Sequence, residues 1–580
     1  MILQALTEYY ETLDGQGKIA RPGWAEVKVS WGIELSESGD ILRILPLKRP
    51  ISDGKKLVPQ EMKLPAPVKK ASGFKSNFLW ENAEYLLGLP TKGETNKVSQ
   101  RFETAKELHD SYLVTVNTPE ANAIRSFFRK RRPMTDLPVP VPDGFLEDIQ
   151  SGANLTFFFG GCCAAEYPVI RKAWQNAYDE AATGDCMMDL VTGEMVVPEK
   201  VHPSIKNVVN AQSSGAALVS FNAKAYESFE REQNINAPLG KATAFAYTTA
   251  LNYLTADKKH RQMVGDMTVV FWSKDGEEAY QTSMDFMLDG AEDSVSDADL
   301  RQLLKHLSKG EPANWDGIPL QPANDFFILG LAPNAARVAV RFFERSSFGK
   351  IVANIKQHYD DIAIQKDHRN QWIEIPLWAL LRETVNQNAS DKSPSPQMAG
   401  DVMRAMLTGG RYPETMLNQT ILRIRAEHAV TRGRAALIKA YLIRNTKTHP
   451  MHEKMKEAAV MALNTETGYA PYVLGRLFSV LEAIQETANP GINATIKDRY
   501  FNAACATPAA VFPLLIKLSN SHLKKMEDAK RIYYGKQLTE LMGKLDTDFP
   551  KTLSLQEQGT MILGYYHQTQ KRFEKKTTDQ

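Results

Sequence analysis

Residues 386–397 read NQNASDKSPSPQ, with three serines, two prolines, two asparagines and no Leu, Ile, Val or aromatic residue. A stretch with that composition has nothing to bury and predicts an exposed connection. The sequence changes period across it, and that contrast decides the fold class. On the C-terminal side, apolar residues recur at helical spacing through PETMLNQTILRIRAEHA (413–429), RGRAALIKAYLIRN (432–445), APYVLGRLFSVLEAIQETA (470–488), ATPAAVFPLLIKLSNSHLKKM (506–526) and SLQEQGTMILGYYHQTQKRF (554–573). Short connections between them imply antiparallel neighbours in a bundle.

On the N-terminal side the states are mixed. MILQALTEYYETLDG (1–15) carries Ile2, Leu3, Leu6, Tyr9, Tyr10 and Leu13 at helical spacing. AEVKVSWGIELSESGDILRILPL (25–47) alternates Val27, Val29, Trp31, Ile33 and Leu35 up to a Ser-Gly-Asp turn, which is a β-hairpin signal. Residues 51–75, with three prolines, two glycines and six lysines, predict one long basic loop. NFLWENAEYLLG (77–88) starts helical, and a helical pattern over 99–131 ends in RSFFRKRRP. NLTFFFGG (154–161), MTVVFWSKDG (267–276) and DFFILGLAPNAARVAVRFF (325–343) predict strands, and ATAFAYTTALNYLTADKKHRQM (242–263) a helix. The expected architecture is α+β: a mixed sheet-and-helix body over 1–370, a linker over 371–395, and a helical bundle over 396–580.

Composition bounds the function. The chain has 580 residues, 43% of them hydrophobic and 24% charged, which is a folded composition too long for one ordinary core. The longest apolar runs, such as PAAVFPLLIKL, are interrupted by Pro or Lys, so a membrane span is not expected. The first helix lacks a basic leader and a small-residue cleavage site, and four cysteines make no disulfide framework; both point to a cytoplasmic protein. Cys162, Cys163, Cys186 and Cys505 lack the spacing of a zinc site and read as buried thiols. With a net charge of +2, nucleic-acid binding must come from local patches.

The stretch NAQSSGAALVSFN (210–222) and the upstream His202 invite a hydrolase reading, with His202 as base and Ser214 as nucleophile. A glycine two residues before the serine, as in the G-x-S-x-G elbow, is missing. A polar turn with a structural histidine, or a binding loop, are the other readings. Asn222, Lys224, Gln233, Asn234, Asn236 and Lys241 extend the polar stretch, and amides cannot serve as general acids or bases. Asp360 and Asp361 with His358 and His368 are a metal candidate, weighed against an exposed charged helix. No GxxxxGK[ST] loop occurs, and no cofactor is expected. The basic clusters are Lys55, Lys56, Lys69, Lys70 and Lys75 in one loop, Arg129, Lys130, Arg131 and Arg132 in a compact patch, and Lys524, Lys525 and Lys530, read as sharing one helix.

Six blocks in order carry a family resemblance: MILQALTEYYETLDGQGKIARPGW, NFLWENAEYLLG, VHPSIKNVVNAQSSGAALVSFN, EQNINAPLGKATAFAYTTALNYL, GRLFSVLEAIQETANPGINATIKDRYFNAACATPAAVFPLLIKL and LQEQGTMILGYYHQTQ. Together they span nearly the whole chain, which resembles the large subunit of the type I-C CRISPR surveillance complex, Cascade. The resemblance implies a non-catalytic role beside a guide RNA, backbone and guide-processing subunits, and a helicase-nuclease that docks on the complex. In such complexes a protein reads a short protospacer-adjacent motif, here AT-rich and TTC-like, in double-stranded DNA and helps open it, while base pairing reads the rest. The N-terminal body is then expected to bind the guide 5′ end and the motif, and the C-terminal bundle to stabilise the displaced single strand. For the motif the expectation is Lys75, Ser76 and Asn77, then Gln212, Ser213, Ser214, Asn234 and Asn236, with Phe74 or Phe78 as a wedge. Backbone contacts are expected from the basic clusters with Lys224 and Lys241. The resemblance also implies a small subunit made by internal translation; a start at Met451, Met455 or Met461 would give copies of roughly the last 120–130 residues.

Overall fold

In a computed structural model, residues 1–19, 21–50, 57–68, 73–91, 97–180, 184–290, 294–366, 372–390, 392–545 and 548–573 are described. The chain forms two compact units, Met1–Pro203 with Val219–Leu251, and Ser204–Leu218 with Asn252–Gln580.

The first unit is built around Trp31–Leu35, a strand with every residue buried. It pairs antiparallel with Ile41–Pro46 through the expected hairpin and parallel with Asn154–Phe159, which in turn pairs with Trp80–Asn82 and Cys162–Cys163. Gly39 in the hairpin turn has φ +81°, and a Cβ there would lie 2.5 Å from the Phe127 amide nitrogen. The turn therefore requires glycine. A parallel pair needs a long crossover, and the connection supplies the helices Val98–Leu113 and Pro119–Lys130. Their Phe102, His109, Phe127 and Phe128 form an aromatic core with Phe157 and Phe78.

Three local expectations are corrected here. The alternation over 27–35 is not one strand: it breaks at Ser30, and Trp24–Val29 pairs with Gln60–Pro65 in a separate ribbon. That strand, with Leu57–Val58, lies inside the stretch read as one long loop. NFLWENAEYLLG is a strand, Trp80–Asn82, followed by the one-turn helix Ala83–Leu86, whose first turn is capped by the Asn82 side chain.

The second unit holds a four-stranded antiparallel sheet in the order Arg261–Val264, Met267–Ser273, Asp325–Asn334, Arg337–Ser347. One face packs Val269, Phe271, Phe326 and Ile328 into a hydrophobic cluster that continues without a break through the C-terminal helices to Tyr566. The first part of the expected linker is buried in that cluster, through Ile375 and the helix Leu377–Arg382 with Leu377, Leu380 and Leu381. Burial of those leucines explains why the units divide elsewhere than at 371–395, although the α+β body and the helical C-terminal region are both present.

At the centre of the bundle, Ala470–Ala488 crosses Leu555–Phe573. Both contribute a glycine to the crossing. A Cβ on Gly475 would sit 1.9 Å from the Met561 carbonyl oxygen, and one on Gly564 would sit 2.1 Å from that of Tyr472. The close approach brings polar side chains together across the helices: Tyr472 Oη with His567 Nδ1 at 2.8 Å, Tyr565 Oη with Glu482 at 2.6 Å, and Arg476 Nε with Gln568 at 3.0 Å.

Candidate nucleic-acid interface

In the first unit, residues 73–79 form a loop fixed from beneath. The Asn77 side chain accepts from the Val68 amide at 2.8 Å and donates to Glu81 at 3.0 Å. Ser76 Oγ donates to the Asn77 carbonyl at 2.9 Å. Leu79, in the left-handed region at φ 67°, donates its amide to His109 Nε2 at 2.9 Å while its carbonyl accepts from Thr156. Since His109 Nδ1 donates to the Ala105 carbonyl, both ring nitrogens are committed to a neutral tautomer, and burial holds its pKa down to about 4. Phe78 is wholly buried and stacks on Trp174 at 5.8 Å.

These contacts sort the expected motif residues. Ser76, Asn77 and Phe78 are buried in the loop's foundation and are spent on the fold. Phe74 and Lys75 are exposed. The Arg101 guanidinium lies 5.7 Å from the centre of the Phe74 ring and is paired with Glu84. Arg101 was not among the sequence candidates, because a lone arginine in a helical pattern gives no signal of what its tip approaches. Lys55, Lys56, Lys69 and Lys70 lie outside the described residues.

Residues 219–240 of the same unit make a second exposed loop. Asn236 ties it together, accepting from the Ser228 amide and donating to the Arg231 and Gln233 carbonyls. Asn234 is buried, with its amide 3.4 Å from the Val219 carbonyl. At the tip stands Phe229, with φ 55° and 92% exposure. Lys224 is exposed, whereas Lys241 donates to the Tyr178 carbonyl at 2.6 Å and sits 3.2 Å over that ring. The sequence signal for Phe229 was faint: a single phenylalanine among polar residues, SFEREQN, with no apolar period to place it in a core.

Gln212, Ser213 and Ser214 belong to the second unit, in an exposed turn closed by the Gly215 amide on the Gln212 carbonyl. Gly215 has φ +93°, and a Cβ would lie 2.8 Å from that of Ser204. The turn is held by the Ile205–Ala216 bridge, by Ala217 against Arg337, and by the Val209 amide on Thr268. His202 belongs to the first unit; it is buried, bonded through Nδ1 to Tyr247 at 2.8 Å, and held by burial at a pKa of about 4. Its ring is a neutral core element.

In the basic patch, Arg129 pairs with Asp110, Lys130 with Asp40 at 2.9 Å, and Arg131 is bonded to the carbonyls of Leu87, Thr135 and Asp136. Arg132 is exposed; its carbonyl accepts from Thr135, and its side chain has no partner among the described residues. Lys524, Lys525 and Lys530 do not share a helix. The first two lie in the turn after Pro508–Leu523, and the third in Asp528–Gly543; all three are exposed.

Asp361 is buried against Arg444, Asp360 pairs with Lys356, and His358 is buried on Tyr412; His368 lies outside the described residues. Among the described residues no group of three or more His, Cys, Asp or Glu side chains is placed to hold a metal ion, and no helix is long and apolar enough to cross a membrane. Cys163 and Cys505 are buried as expected, but Cys162 and Cys186 are exposed.

No curated protein matches the chain. A family model described as CRISPR-associated protein (Cas_Csd1) matches residues 6–573. The chain therefore belongs to the Cas_Csd1 family of CRISPR-associated proteins and is a subunit of the Cascade type.

Proposed function

We propose that this chain is the large, non-catalytic subunit of a type I-C RNA-guided antiviral complex, which reads the adjacent motif in double-stranded DNA, helps open the duplex and stabilises the R-loop. The supporting observation is the 73–79 loop, whose buried clasp presents Phe74 and Lys75 at the surface beside Arg101. A cation and an aromatic ring on a rigid base suit contact with a phosphate and a base step. In this reading Phe229 takes the wedge role that Phe78, being core, cannot fill. Lys224, Arg132, Lys524, Lys525 and Lys530 supply phosphate contacts, and Gln212, Ser213 and Ser214 form a secondary polar contact. The guide RNA, the backbone and guide-processing subunits and the docking helicase-nuclease are the partners. A small subunit started at Met451, Met455 or Met461 would lack the helices Glu414–Glu427 and Arg432–Asn445, against which Leu555–Phe573 packs.

The test is equilibrium binding of duplexes with intact and scrambled motifs to the reconstituted guide-RNA complex, with and without this chain, at one salt concentration. The reading expects tight binding that needs both the chain and the motif. Motif-independent binding that is unchanged when the chain is left out refutes it.

A further inference from the structure

The second unit has a cavity of about 340 Å³ lined by Lys258, Arg261, Gln262, Asp285, Asp289 and Trp378, with Met263, Val264, Leu288 and Leu377 as its apolar part. Asp285 and Asp289 stand one turn apart on the helix Glu278–Asp289, and the Gln262 amide lies between them, 3.2 and 3.4 Å from their Oδ1 atoms. Neither carboxylate has a cationic partner among the described residues. Burial, with the charge of Asp289, pushes the Asp285 carboxyl up to about 6, so hydrogen-bond donors are wanted there. Trp378 leaves 45% of its surface exposed and is braced edge-on by Trp372 at 5.7 Å. Lys258 is exposed, and its side chain has no partner among the described residues.

The lining is bipolar: acceptors at one place, a flat aromatic wall, and a free cation. A guanidinium or a metal ion would use the acceptors but leave most of the volume empty and gain nothing from Lys258. A nucleotide uses all three. Among the bases, guanine alone offers two adjacent N–H donors, N1–H and the N2 amino group, which match the two oxygens of one carboxylate. We propose that this cavity is a guanine-nucleotide site, with the base stacked on Trp378, its donor edge on Asp285, and its phosphate on Lys258. The guanine comes either from a free nucleotide or from an RNA strand.

Binding of GMP, AMP, CMP and UMP, and of a short RNA strand with and without guanine, to the full-length chain tests this. GMP or the guanine-containing strand is expected to bind saturably, at least about tenfold more tightly than its counterparts. D285N and W378A should each weaken that binding about tenfold in proteins that keep one cooperative unfolding transition; D285N should melt no lower than wild type, because it removes a carboxylate that burial disfavours. Binding of the strand but not of GMP assigns the guanine to RNA. K75A, which the motif reading expects to harm duplex binding, should leave GMP binding intact, so the two proposals fail separately. Equal binding of all four nucleotides, no binding of any probe, or guanine binding indifferent to both D285N and W378A overturns the site.

Discussion

The helix crossing at Gly475 and Gly564 gives a prediction whose sign runs against helix propensity. In an exposed helix interior, Gly→Ala stabilises by about 1 kcal/mol. At Gly475 the added methyl would lie 1.9 Å from the Met561 carbonyl oxygen and 2.7 Å from the Tyr565 amide, against backbone that cannot rotate away. Cβ contacts under 3.0 Å essentially do not occur, so the helices must part by roughly 1 Å. That separation loosens packing along two helices of 19 residues each and stretches the bonds of Tyr472 to His567 and of Tyr565 to Glu482. Overpacking costs about 1–3 kcal/mol and more where backbone must move; here we take the upper end, about 3, which leaves about 2 kcal/mol of net destabilisation after the propensity gain. At Gly535, in the helix Asp528–Gly543, nothing lies within 4 Å of the added Cβ. G535A should therefore raise stability by up to about 1 kcal/mol. Thermal unfolding followed by helical circular dichroism reads both. G475A should melt several degrees below wild type and G535A at or above it. A G475A protein that melts at or above wild type refutes the close-crossing argument.

Protonation gives a second expectation. His109, His202, His358 and His567 are buried, and burial holds their pKa values down to about 4, 4, 3 and 4. Below about 6.5 the unfolded chain takes up protons that the folded chain refuses, so each group's stability contribution is whole above that pH and falls by about 1.4 kcal/mol per unit beneath it. Asp285, held up to about 6, acts in the opposite sense, as do Asp289, Asp361 and Glu374, each raised first by burial; the histidines, with the larger shifts, set the direction. Melting temperature should drop steadily from pH 7 to pH 5, and a flat profile would count against neutral burial. N77A should lower the melting temperature by the equivalent of about 1–3 kcal/mol, because the Val68 amide and Glu81 lose their partner. K75A should leave melting unchanged while weakening duplex binding and reducing its salt slope by about one; equal loss of stability in both variants would refute the division of the loop. F229A should slow duplex opening, read by base-analogue fluorescence, without a change in melting, and unchanged opening removes it as the wedge.

The sequence made the hairpin at 31–46, the first helix and the C-terminal helices legible because their apolar periods coincide with what they bury. The polarity of NQNASDKSPSPQ says nothing of the residues before it, where Leu377, Leu380 and Leu381 go into the core within the span 371–395. The lysine and amides of the candidate loop are visible in the sequence, but not their division of labour. Asn77 and Lys75 are alike polar in sequence; which one faces inward depends on Glu81 and Val68, partners that only the folded backbone brings within reach. The same kind of fact bears on His202, whose ring is buried and bonded to Tyr247, 45 residues away.

The two units interleave along the chain, and this has a consequence in the order of synthesis. Ala217 anchors the turn bearing Gln212, Ser213 and Ser214 by bridging to Arg337. At about 5–20 residues per second, the ribosome makes that partner roughly 6–24 seconds later. The helix Lys241–Ala256, which runs from the first unit into the second, is complete long before then. For that interval the polar turn is closed by its own Ile205–Ala216 bridge but lacks the strand that fixes Ala217, so a pause or truncation before Arg337 would yield a chain with its first unit whole and this turn formed but not anchored.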